Sequence, residues 1–198
     1  MDPARRRRST TLVEMRGTRE FGSLGHLATR FFGALWPGGP RRADEDWARR
    51  WLQPGELELW ERMSGPDRRH AVGVAHATVE LLDDGSDPER AVVASALLHD
   101  VGKVESGLGT IARALVTGIA LVVGRARLVA DPAPGRREAR WHRRTRQYFT
   151  HDRLGADLLR LAGSDPLTVA WARQHHLPAD AWTLDSRVAA ALKAADDD

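Results

Sequence analysis

The apolar run Ala91-Val92-Val93-Ala94-Ser95-Ala96-Leu97-Leu98 stops abruptly at His99-Asp100-Val101-Gly102-Lys103. A histidine and a carboxylate side by side where a helix ends can bind one cation together, so this segment reads as half of a metal site. The chain has no cysteine. Disulfides, zinc-thiolate sites and cysteine nucleophiles are therefore excluded, and the missing ligands must be imidazole or carboxylate.

The 198 residues, 42% of them hydrophobic, suffice for one helical domain with a substantial core but not for two full domains. Residues 1–45 combine the basic run Arg5-Arg6-Arg7-Arg8 with scattered glycine and the turn Pro37-Gly38-Gly39-Pro40, the composition of a loosely packed arm. No apolar stretch follows the arginines, so no signal peptide is expected and the chain reads as cytoplasmic. The formal charge of +3 does not by itself imply a polyanion partner. From Asp44 to Met63, Trp47, Trp51, Leu52, Leu57, Leu59 and Trp60 are spaced as core anchors on two short amphipathic helices broken at Pro54-Gly55.

Residues 46–198 form the expected domain. Ser86-Asp87-Pro88 and Ser164-Asp165-Pro166 each place a capping side chain before a proline suited to the first helical position. The helix after the first ends at His99-Asp100, and the helix after the second ends at His175-His176 before Leu177-Pro178. Two helices thus present polar ligands at their C-terminal ends, where the helix dipole favours a cation. Further helices are predicted over Pro66 to Leu82 with His70 in the first turns, over Asp152 to Leu161 with His151 at the start, and from Ser186 to Asp196. His76, six residues after His70, falls about 120° away around the helix and is read as structural or exposed, as are His26 and His142.

The order His70-Ala71-Val72-Gly73, His99-Asp100-Val101-Gly102-Lys103, His151-Asp152-Arg153-Leu154-Gly155-Ala156, His175-His176 and Ala194-Ala195-Asp196 resembles the HD superfamily of metal-dependent phosphohydrolases. The resemblance covers residues 64 to 198 and implies an all-α bundle. Carried over position by position, it implies that His70, His99, Asp100 and Asp196 bind one divalent ion. It also implies that His151, His175 and His176 bind a second, with Asp100 bridging, although one of the paired histidines could contact substrate instead. Asp196 stands two residues from the end of the sequence, and Asp185 is the reserve for the last ligand.

The donor set suits iron, manganese or zinc better than calcium, with nickel, cobalt or magnesium also able to occupy it. A carboxylate-bridged pair can activate a hydroxide for attack on phosphorus. Asp100 and Lys103 are therefore the expected catalytic residues, Lys103 either contacting a phosphoryl oxygen or merely complementing a helix terminus. The expected substrate is a phosphorylated small molecule of the nucleotide or cyclic-nucleotide class. The alternative is a catalytically silent module of the same fold that binds through a basic surface.

An insertion spans about 106–148. Its apolar part, Leu108 to Val123, is too short to span a bilayer and carries Arg113. Its basic part holds Arg125, Arg127, Arg136, Arg137, Arg140, Arg143, Arg144 and Arg146. Three functional readings stand beside a plain buried-then-solvated helix pair: a membrane-surface element, a basic cap over the metal cleft, and a nucleic-acid contact involving Trp141 and Tyr148. Sequence alone leaves the oligomeric state open.

Overall fold

The computed structural model describes residues 38–108, 110–130 and 138–197. The described chain is all-helical, as expected. Its helices are α1 (Arg42–Trp51), α2 (Pro54–Arg62), α3 (Gly65–Leu82), α4 (Arg90–Leu98), α5 (Lys103–Ser106), α6 (Thr110–Val123), α7 (Arg125–Val129), α8 (Arg140–Phe149), α9 (His151–Leu161), α10 (Pro166–Gln174) and α11 (Ser186–Asp197), with a 3-10 turn at Ala179–Ala181. Most of the arm expected over 1–45, and His26 with it, lies outside the described residues; α1 begins at Arg42.

α4 is the axis of the bundle. All residues from Ala91 to Leu98 are buried, the signature of a helix apolar on every face and surrounded by others. It is packed by α1, α2, α3, α10 and α11. The one polar side chain of that buried stretch, Ser95, donates to Ala91 O at 2.7 Å, so its hydroxyl is not left unpaired in the core. Trp60 and Trp171 are fully buried around it. Trp47 and Trp51 pack on the core edge, and Trp47 stacks on His76 at 4.1 Å. His76 is exposed and lies outside the His/Asp cluster, in keeping with a structural or exposed residue.

Two local readings are refined. The α1–α2 break falls at Leu52-Gln53, with Pro54 the first residue of α2, where its missing N–H costs nothing. Glu56, completely buried, closes this corner by accepting from Gln53 N at 2.8 Å and pairing with Arg90 at 3.1 Å. The matched Asp-Pro caps are not equivalent. Asp165 caps α10 by accepting from Leu167 N at 2.8 Å. α4 instead starts two residues after Pro88, at a Glu89 cap with no side-chain bond. The polar side chains before Pro88 are spent in a tight turn: Asp83 accepts from Gly85 N, and Asp84 from both the N–H and the hydroxyl of Ser86.

The insertion is helical as well. α8 lies against α5 and α7, and α7 is the principal neighbour of α6. Among the described residues no helix is long and apolar enough to cross a membrane.

Candidate metal centre

Four helix termini and one short turn meet at a single point. His99 is the C-cap residue of α4, and His175 is the C-cap residue of α10. Asp100 follows in the turn that leads to α5, His151 is the first residue of α9, and His70 and Asp196 come from the facing helices α3 and α11. His99, Asp100, His151 and His175 are buried, and His176 opens to solvent.

Two groups of potential ligand atoms result, each with all members within 4.8 Å of one another: His70, His99 and Asp100, and Asp100, His151, His175 and His176. Asp100 belongs to both. Its Oδ1 lies 3.1 Å from His151 Nε2 and 3.7 Å from His175 Nε2, while its Oδ2 lies 3.4 Å from His99 Nε2. Asp196 Oδ1 stands 3.1 Å from His70 Nε2 and 3.4 Å from His99 Nε2. On the outer side, His176 Nε2 lies 3.2 Å from His151 Nε2.

The ring tautomers carry the chemical information. His99 Nδ1 bonds Ala96 O at 2.8 Å, His151 Nδ1 bonds Tyr148 O at 2.6 Å, and His175 Nδ1 bonds Ala172 O at 3.0 Å. Each ring thus reaches the carbonyl three residues back. A carbonyl can only accept, so Nδ1 carries the proton in all three rings and a neutral ring presents a bare lone pair at Nε2. In the neutral rings those lone pairs face carboxylate oxygens, acceptor against acceptor, until a cation or a proton comes between them. His99 Nε2, His175 Nε2 and Asp100 Oδ1 are buried with no hydrogen-bond partner; the short approach of His151 to Oδ1 does not have hydrogen-bond alignment. Buried acceptors left in this condition are costly unless a cation lies among them. A divalent ion satisfies all of them at once, and a backbone carbonyl on the remote ring nitrogen is the usual support for a metal-bound histidine. The residues present therefore fit a metal.

Protons show the same electrostatic demand. Burial opposes protonation of His99, but Asp100 and Asp196 outweigh it and raise its pKa to about 10. Asp100 is held well below the ordinary carboxylate range despite its burial, chiefly by Lys103 and His99. Burial likewise disfavours the charge on Asp196, yet the bond from His70 and the nearby His99 ring keep its pKa low. His176 is lowered to about 4 by loss of solvent around its ring and by His175 and His151.

All seven expected ligands lie in this cluster. Asp185 does not; it caps α11, accepting from Arg187 N and Val188 N. Lys103 is ion-paired with Asp100 Oδ2, and this pairing raises the lysine pKa against the opposing effect of burial. His142 pairs with Glu138 at 3.1 Å, outside the cluster.

Two contributions were not legible from residue type. Tyr148 orients His151 through its carbonyl and stacks on that ring, with centroids 6.1 Å apart and an interplanar angle of 25°. Gly102 crosses α9 so closely that a Cβ there would stand 1.9 Å from His151 O and 2.6 Å from Gly155 N. The missing side chain lets the His99-Asp100 turn seat directly on the first turn of α9. Glycine in both halves of the sequence pattern, Gly102 and Gly155, was the available signal. No family model, curated protein or solved structure matches the chain.

Proposed function

We propose that the chain is a divalent-metal phosphohydrolase with the ligand arrangement of the HD superfamily, acting on a phosphoester of the nucleotide or cyclic-nucleotide class. The observation that supports this most is Asp100, one carboxylate shared by two ligand groups, since a carboxylate can bridge two ions and a neutral imidazole whose Nδ1–H bonds a carbonyl, with one free lone pair, cannot. His70, His99, Asp100 and Asp196 would hold one ion, and His151, His175 and His176 would hold the other with Asp100 between. Iron and manganese match this nitrogen and oxygen set best, and zinc, nickel, cobalt and magnesium compete for it.

Ions bound there would supply Lewis acidity and a hydroxide at neutral pH. The chain's own backbone and side-chain groups do the rest. Ala96, Tyr148 and Ala172 fix the ring orientations through their carbonyls. Lys103 places an ammonium against Asp100, from which it can neutralise charge on a phosphoryl oxygen as a compact point charge. His176 is exposed and His70 part-exposed, and substrate would enter from the His176 side. The low pKa of His176 leaves it unprotonated at neutral pH and able to coordinate an ion.

The test is metal content per chain by elemental analysis for wild type, His151→Ala and Asp100→Ala, together with hydrolysis of a phosphodiester and nucleotide panel. Two ions in wild type, one in His151→Ala and none in Asp100→Ala are expected, with activity following the loss. Metal-loaded wild type that releases no product across the panel would overturn the hydrolase assignment.

A further inference from the structure

The insertion carries an exposed apolar and basic surface that the metal centre does not use. α6 is the most apolar of the described helices of nine residues or more, yet Leu115 is 66% exposed and Ile119 43% exposed. These two residues are one turn apart and share a face. Nothing lies within 4 Å of a Cβ built at Gly118 between them. Trp141, at the start of α8, is 63% exposed. The sub-assembly is continuous: α8 packs on α7, α7 on α6, and the Thr117 and Tyr148 hydroxyls meet at 3.4 Å. Arg127, Arg140 and Arg143 are exposed on the same helices. Residues 107–150 hold nine arginines against two carboxylates, Asp131 and Glu138, in a chain whose total charge is only +3.

We propose that the α6–α8 surface docks on an anionic lipid bilayer, with Leu115, Ile119 and Trp141 entering the interface and Arg127, Arg140 and Arg143 lying among acidic headgroups. Charge selects an anionic partner. The exposed aliphatic pair selects lipid over nucleic acid, because Leu115 and Ile119 offer a nucleic acid neither a stacking ring nor a hydrogen bond, whereas both bury favourably at an acyl boundary. A tryptophan exposed on a helix of the same sub-assembly suits the headgroup level. α6 is too short to span the bilayer, so the contact is peripheral and reversible. The docked element is also joined to the metal centre: α8 runs directly into His151, whose ring is held by the Tyr148 carbonyl.

The experiment is co-sedimentation of the full chain with vesicles of phosphatidylcholine alone or with 30% phosphatidylserine, at low and high salt. The variants are Leu115→Ser/Ile119→Ser/Trp141→Ser and Arg127→Gln/Arg140→Gln/Arg143→Gln. All six positions are exposed, so both variants should keep the wild-type melting temperature and metal content. Binding to the anionic vesicles only, weakened by salt, is expected. The arginine variant should bind about 100-fold more weakly, from about 1 kcal/mol per arginine at a bilayer surface. The apolar variant, which keeps every charge including Arg5 to Arg8, should lose binding at high salt altogether. Failure of wild type to sediment, equal sedimentation of wild type and both variants, tighter binding to an RNA oligonucleotide than to vesicles, or self-association abolished by the apolar variant would each overturn the proposal. None of these outcomes depends on hydrolase activity.

Discussion

Substituting Gly102 by alanine should separate the two halves of the candidate metal centre. Gly102 has φ −62° and ψ −16°, a conformation alanine adopts readily, so on backbone grounds alone the change would stabilise by about 0.4–1 kcal/mol through the unfolded chain. The surroundings reverse that sign. The new Cβ would lie 1.9 Å from His151 O and 2.6 Å from Gly155 N, and both are backbone atoms that cannot rotate away. Restoring an ordinary contact of 3.4 Å needs α9 and the His99-Asp100 turn to part by about 1.5 Å, a strain of the overpacking kind worth about 1–3 kcal/mol. The net loss is then about 1–2 kcal/mol, or about 2–8 °C in melting temperature for a chain of this size. The same displacement acts on His151 and Asp100, now 3.1 Å apart, whereas metal sites tolerate about 0.2 Å in ligand distance. Thermal unfolding and metal content should therefore fall together in Gly102→Ala. Gly73→Ala is the matched control: it lies inside α3 with nothing within 4 Å of the added carbon, and it should gain about 0.5–1 kcal/mol with metal content unchanged. A Gly102→Ala protein that melts at or above wild type with its full metal complement would refute the close-crossing argument.

Three further outcomes are expected. Asp165→Ala should cost about 0.5–2 kcal/mol in urea unfolding, whereas Asp87→Ala should lie within about 0.5 kcal/mol of wild type, because only the former makes a cap bond; equal losses would mean that both devices cap their helices. Glu56→Gln should cost about 1–3 kcal/mol by denaturant titration, since it weakens the charge-assisted bonds of a buried carboxylate to Gln53 N and Arg90, and Glu58→Gln on the exposed side of the same helix should cost nothing measurable. Addition of Mn²⁺ at about 100 times its dissociation constant should stabilise the folded chain by about 2.7 kcal/mol, visible as a rise of about 5–10 °C in melting temperature that chelator reverses and that Asp100→Asn lacks.

The resemblance in the sequence and the geometry of the site draw on different physics. Helix ends are local events. Pro166 behind Asp165, Gly163 with φ +77° after α9 and the Leu177-Pro178 stop after His176 mark their boundaries through dihedral preference and capping within a few residues, so the sequence showed where His99, His151 and His175 would stand on their helices. Where two local signals competed it misled: Ser86 was free on paper to cap α4, but in the folded chain its hydroxyl and N–H are committed to Asp84.

Residue chemistry was also legible in advance. A chain without cysteine, with histidines at helix C-termini and a carboxylate beside one of them, offers nitrogen and oxygen ligands and nothing else. What only the tertiary structure decided is how those ligands pair. His70 meets Asp196 across 126 positions of sequence, and no propensity or periodicity acts over that separation. The choice of Asp196 over Asp185 depends on which end of α11 faces α3. The position of Asp100 between two ligand groups depends on Gly102 lying against α9. These facts follow from close packing, in which one absent Cβ sets how near two helices come and so whether seven side chains share one site.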